Sequence, residues 1–173
     1  MFSVNKVKSI SYFKIFFWHT IKIVAVIFLV MFLGKMLIVD RGQVRGVSME
    51  PNYKDSEFFW ISRSSYLFRQ PKRYEVVSLS IPSSGDLAIK RIVGLPGETI
   101  MWQGSDVWLV GVDGEKEKIK AFSFYGQPQE SEEEKTVMLK DDEYFVLGDN
   151  RLISGDSRAF GSVHRRFILG KVF

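Results

Sequence analysis

The sequence predicts a mainly β protein: one N-terminal transmembrane helix, then an antiparallel or mixed β-sheet domain. Three observations lead there. The most apolar stretch of the 173 residues is residues 15–39. Short apolar, β-branched or aromatic runs, separated by Gly, Pro and Asn turns, follow it to the C-terminal end. No long 3.6-residue periodicity survives after Val39.

Within residues 15–39, Ile23–Leu33 reads IVAVIFLVMFL, without a polar side chain. A helix needs ~20 apolar residues to cross the hydrocarbon of a bilayer. The run reaches that length with Lys22 and Lys35 near its ends, where a long cationic side chain snorkels to the headgroups. Trp18 stands where an interfacial aromatic is expected. A cleaved secretory signal needs a small-x-small site soon after its apolar core, and Gly34-Lys35-Met36 is a poor one. A buried amphipathic helix needs a polar face, which Ile23–Leu33 lacks. An uncleaved signal anchor remains.

Charge gives the anchor a direction. The chain has 24 Lys and Arg against 20 Asp and Glu, a net charge of +4. Lys6, Lys8, Lys14 and Lys22 lie in residues 1–22 with no acid among them, so residues 23–173 are neutral overall. A basic tail on a neutral body is a topology signal rather than a nucleic-acid footprint, so no nucleic-acid partner is expected. The positive-inside rule places residues 1–14 in the cytoplasm and residues 40–173 outside a cell membrane crossed once. The absence of Cys excludes disulfides, thiolate catalysis and Cys-ligated zinc. No metal or cofactor is expected.

Residues 40–173 form one β-rich domain in this reading. Strands are predicted at Phe58–Ile61, Val76–Ile81, Leu87–Val93, Thr99–Trp102, Val107–Val112, Tyr144–Leu147 and Phe167–Val172. Turns are predicted at Pro51-Asn52, Pro71, Pro82-Ser83-Ser84-Gly85, Pro96-Gly97, Gly104 and Gly148-Asp149-Asn150. Residues 113–135, rich in Lys and Glu, read as a solvated, variable insert.

Three clusters carry candidate chemistry. Ser48 sits in Gly46-Val47-Ser48-Met49-Glu50-Pro51, where a structural turn serine is the plain reading and a nucleophile the sharper one. Lys90 lies inside the apolar strand Leu87–Val93, beside Arg91. Adjacent strand residues point to opposite faces, so one of the two cations turns inward. Either that side chain snorkels, or it is a half-buried base. The third cluster, residues 147–158, reads as a polar turn held by Asx hydrogen bonds and an Asp–Arg pair.

Taken in order, these clusters resemble the bacterial type I signal peptidase family. Ser48-Met49-x-Pro51 is similar to its nucleophile box, and Lys90-Arg91-Ile92-Val93-Gly94-Leu95-Pro96-Gly97-Glu98 to its general-base box. Gly148-Asp149-Asn150-Arg151 with Ser154-x-Asp156-Ser157-Arg158 is similar to its C-terminal box. The likeness runs from about residue 15 to residue 173, through Ser65-Tyr66 and Pro71-Lys72-Arg73. It departs at Leu152-Ile153, where the family often has Asp-Asn, and at Tyr74-Glu75, where it commonly has Gly-Asp.

The resemblance implies a serine endopeptidase that removes N-terminal signal peptides from exported preproteins after small residues. It implies Ser48 as nucleophile, Lys90 as general base, Ser154 orienting the Lys90 amine, and Asp156 and Arg158 holding the turn. Gly46, Met49 and Ile89 fall at substrate-binding positions. Gly46 has no hydroxyl to offer an oxyanion, unlike the Ser of some relatives at that place. The implied partners are signal peptides and membrane lipid, the latter through some of Phe58, Phe59 and Trp60, for which ordinary packing on two faces of a strand is the alternative.

The chemistry fits that assignment. A hydroxyl is a poor nucleophile until a base removes its proton. The outer domain's one histidine, His164, lies in the basic run His164-Arg165-Arg166. A lysine serves as base only when neutral, and desolvation lowers its pKa from ~10.4 by up to ~3–5 units. Ala88, Ile89, Ile92 and Val93 are neighbours of that kind. Two other readings remain: a Ser/Lys peptidase dedicated to one exported conjugation or pilus substrate, and a non-enzymatic anchored β domain.

Overall fold

A computed structural model describes residues 4–38, 40–120 and 133–173. Residues 121–132 of the expected insert lie outside the described residues. Contacts divide the chain between residues 38 and 39. On the N-terminal side is one helix, α1 (Val4–Ile38). Residues 4–14 contain neither Gly nor Pro, so nothing stops the helix from starting before the apolar stretch. Its 19-residue segment Phe16–Gly34 is long and apolar enough to cross a membrane.

The second unit is built from strands, as expected. They are β1 (Asp40–Gln43), β2 (Phe58–Ser62), β3 (Val76–Ser80), β4 (Leu87–Gly94), β5 (Thr99–Gln103), β6 (Asp106–Val110), β7 (Lys116–Lys118), β8 (Lys135–Met138), β9 (Glu143–Leu147), β10 (Val163–His164) and β11 (Ile168–Val172). A short helix, α2 (Ser157–Phe160), precedes β10. Every pairing among the described residues is antiparallel. One sheet has the order β1-β2-β11-β3-β4-β9-β10, and the other β7-β6-β5-β8.

All seven strands read from the sequence are present, most within a residue or two of their predicted ends. The four it missed, β1, β7, β8 and β10, all lie at sheet edges. An edge strand has one partner and needs no apolar face, so DRGQ and KEK carry no strand signature of their own.

Alternation explains the core. Along β9, Tyr144 and Val146 join one buried cluster, with Val77, Leu79 and Ile92. Phe145 and Leu147 point the other way, into a cluster with Val93, Ile100 and Val107 that joins the two sheets. A third cluster, Val44, Met49, Phe59, Val76, Ile89 and Val172, lies under the beginning of the domain. It settles the three consecutive aromatics of β2. Phe59 is buried, while Phe58 and Trp60 are exposed on the other face.

Candidate active site

β4 crosses the middle of the large sheet and carries Lys90, which is only 4% exposed. Its position on the strand gives it the same side as Ala88 and Ile92. The amine lies 2.7 Å from Ser48 Oγ and donates to it. Among the described residues, no carboxylate pairs with Lys90. Burial lowers its pKa below the ordinary lysine value; the more distant charges of Asp156 and Asp149 oppose that shift, and Arg158 reinforces it.

Arg91, the next residue, points to the opposite side. It is not a solvent-facing cation: its Nε and Nη2 hold the Asp149 carboxylate at 2.8 and 2.6 Å, and its Nη1 donates to the Tyr74 carbonyl at 2.9 Å. Asp149 is 1% exposed and also accepts from the Asn52 amide at 2.8 Å. Asn52 follows the Ser48 turn, so the Arg91–Asp149 pair joins β4 to both loops.

Two contacts seat Ser48. Its carbonyl accepts from the Asn150 amide at 3.0 Å, and Gly148 packs against it. A Cβ on Gly148 would stand 2.5 Å from that carbonyl and 2.1 Å from Ser154 Oγ. Ser154 Oγ is itself buried and, among the described residues, without a hydrogen-bond partner. Asp156, fully buried, accepts from the Gly148 amide at 3.1 Å and from Arg158 Nε and Nη2, both at 2.9 Å. Arg158 also donates to the carbonyls of Gly104 and Arg151. The Asx turn and Asp–Arg pair expected from the sequence are therefore its physical framework.

A groove of about 810 Å³ ends on Ser48 and Lys90. β1 forms one bank and Leu87–Ile89 the other. Phe59 contributes to its wall by lying against Gly42, where a Cβ would meet the ring at 2.4 Å. Of the three substrate-binding expectations, Ile89 lines the groove. Met49 is fully buried in the cluster beneath it. Gly46 is exposed, has φ +83°, and donates its amide to Asp55 Oδ1 at 2.7 Å. His164 pairs with Asp142 and accepts from the Arg166 amide, and it does not line the groove. Among the described residues, no group of His, Asp and Glu could hold a metal ion.

Sequence reasoning gave no site role to Arg91, Asp149, Asn52 or Gly42, and it considered Phe59 only with Phe58 and Trp60. Strand alternation beside Lys90 was a signal for the first. Nothing local announces the partnership of Asn52 with Asp149, 97 residues apart.

Comparisons of the sequence with known proteins point to one family. Residues 17–173 match the profile of the family described as signal peptidase, peptidase S26. Signal peptidase I V of Bacillus subtilis is 28% identical over 163 residues, which cover 90% of this chain and 95% of that protein. A probable signal peptidase I-2 of Synechocystis is 32% identical over 145 residues, covering 80% of this chain and 63% of that one. A crystal structure of a signal peptidase I from Enterococcus faecalis aligns with a TM-score of 0.49 at 25% identity, covering 61% of this chain and 98% of that one.

These relatives define a serine protease, a hydrolase, and set aside the reading of a non-enzymatic β domain. More particularly, the chain belongs to the signal peptidase family, peptidase S26.

Proposed function

We propose that this protein cleaves N-terminal signal peptides from exported preproteins after small residues, with Ser48 as nucleophile and Lys90 as general base. The observation that carries the proposal is the 2.7 Å contact between Lys90 Nζ and Ser48 Oγ, made by a lysine that burial pushes toward its neutral form. A neutral amine at that distance accepts the hydroxyl proton as Oγ attacks the scissile carbonyl. The ammonium so formed then gives the proton to the departing amine, and water hydrolyses the acyl-enzyme by the same two steps.

The Ser48 amide is the natural donor to the oxyanion, since it belongs to the reacting residue itself. Gly46 offers no side chain, and its amide is held by Asp55. The role expected of Ser154, orienting the Lys90 amine, is not made in this structure: its hydroxyl has no hydrogen bond among the described residues and packs against Gly148 beside the Ser48 carbonyl. Asp156 and Arg158 hold the turn that carries Ser154. The substrate lies extended in the groove, where main-chain hydrogen bonds supply affinity and alternate side chains supply specificity. Ile89 lines a pocket for a small side chain, and Met49 backs it.

Residues 15–39 anchor the chain, residues 1–14 are cytoplasmic and residues 40–173 lie outside the membrane. Exposed Phe58 and Trp60 suit contact with lipid. The test uses the full chain in phospholipid vesicles with a preprotein. Wild type releases the mature protein, while Ser48→Ala and Lys90→Met do not. Near-normal processing by either variant removes the reading.

A further inference from the structure

The groove is charged, and its cations differ in what occupies them. β1 and β4 are separated by four antiparallel steps, through β2, β11 and β3, so the two banks run in the same direction. Both lead toward Ser48 and Lys90. Arg41, Arg45, Arg63 and Lys90 line the groove. Arg63 is bound to Asp40 at 2.6 Å. The Arg41 guanidinium lies 3.8 Å over the Phe58 ring. Lys90 is on Ser48. Arg45 is exposed and, among the described residues, has no hydrogen bond or ion pair.

We propose that Arg45 is a specificity-determining residue. It binds the carboxylate of an Asp or Glu in the substrate, within a few residues of the scissile bond. The preferred substrates are then peptides with an acidic side chain at the cleavage site. The inference deepens the peptidase reading and rests on it for the bond that is cut, but the charge preference itself concerns binding.

Position supports this. Three residues of chain span at most ~11 Å, so Arg45 stands close to Ser48. An extended substrate advances ~3.3 Å per residue, which leaves the guanidinium within reach of the residues adjoining the scissile bond. An unengaged guanidinium presents a planar fork of donors that fits a carboxylate. Two carboxylates could oppose an acidic substrate: Asp55, held on the Gly46 amide at 2.7 Å and absent from the groove lining, and Asp86, which lines the groove four residues before Lys90 on the other bank. Four strand residues are ~13 Å, so Asp86 faces the far end of the groove. Asp40 is at that end too, and Arg63 already neutralises it.

The test uses three peptides that differ only by Asp, Asn or Lys beside the scissile bond, with the full chain in vesicles of neutral phospholipid. Wild type should favour Asp over Asn by about two- to five-fold in kcat/KM, the range of an exposed ion pair, with Lys last. The ratio should shrink as ionic strength rises to about 0.5 M. Arg45→Glu should reverse the order, and gain on the Lys peptide is a change that general damage to the groove does not produce. Equal Asp-to-Lys ratios in wild type and Arg45→Glu overturn the proposal.

Affinities of the same peptides for Ser48→Ala read the preference without the reaction. Charge-selective binding with no cleavage by wild type would refute the peptidase reading and leave Arg45 in its role. Cleavage without charge selectivity would do the converse.

Discussion

Arg91 and Asp149 form a buried, two-pronged ion pair between the strand of the proposed base and the turn that seats Ser48. The pair is 12% and 1% exposed at its two side chains, so neither charge has water as a substitute partner. Asp149→Asn keeps the shape but leaves the guanidinium without its anion. Breaking a buried pair from one side costs about 3–5 kcal/mol. The double variant Arg91→Met/Asp149→Leu leaves no charge stranded and should recover much of that loss. Denaturant unfolding of the four proteins in the cycle measures this. A single-variant loss under about 1 kcal/mol, on the scale of an exposed pair, would show that the contact is not structural.

Lys90 makes a pH prediction with two parts. Its folded pKa is lowered by burial, so activity should rise with pH through a value below that of ordinary lysine, ~10.4. For stability the sign follows from proton counts. Between the folded and unfolded pKa values the unfolded chain binds more protons at this residue, so stability rises with pH across that window. The buried amine therefore costs stability at neutral pH. Lys90→Met should be inactive at every pH and more resistant to unfolding than wild type at pH 7, with the advantage shrinking toward pH 10. Melting curves across that range check it, and an advantage that grows with pH would contradict the lowered pKa.

Glu75 supplies an acid-side prediction. Burial opposes its ionisation, but hydrogen bonds from Arg69, the Lys72 amide, Tyr66 and Lys171 together outweigh it and bring its pKa down to about 2. A depressed carboxylate pKa gives stability that is complete above the unfolded value. That stability is lost as pH falls from there toward about 2. Since the Arg69 side chain is one-third exposed, about 1–2 kcal/mol is the size to expect, rather than the full value of the shift. Glu75→Gln should lower stability by that amount at pH 7 and by almost nothing at pH 2. Equal losses at both would assign the effect to packing.

Legibility in the sequence followed the range of the forces. The apolar helix and the strands with buried faces were readable because burial writes a pattern into consecutive residues. Ser48 and Lys90 stood out through motifs, while their 2.7 Å contact joins residues 42 apart and is made by the fold. Arg91 shows the limit of local pattern. Alternation placed it opposite Lys90, but its burial against Asp149 depends on β4 pairing with β9. Tyr74 is another case: it holds φ +70°, with its amide on the Ile92 carbonyl. Only the tertiary setting keeps a bulky residue in that conformation.

Gly148 gives the most localised prediction. An added Cβ meets two different obstacles: the Ser154 hydroxyl at 2.1 Å and the Ser48 carbonyl at 2.5 Å. The first is a side chain and can rotate or be removed. The second is backbone of the Ser48 turn, already fixed by the Asn150 amide, and moves only if the turn moves. Gly148→Ala should therefore displace Ser48 from Lys90 even where the domain stays folded. A shift of about 1 Å at reacting groups lowers the rate on the order of 100-fold. Peptide affinity, set along the groove, should change far less, so the loss falls on kcat rather than KM. Ser154→Gly in the same chain removes the hydroxyl and leaves the backbone contact, and should not raise the rate to that of Ser154→Gly alone. Recovery of the double variant to the Ser154→Gly rate would locate the strain in the Ser154 side chain and dissociate Gly148 from the seating of Ser48.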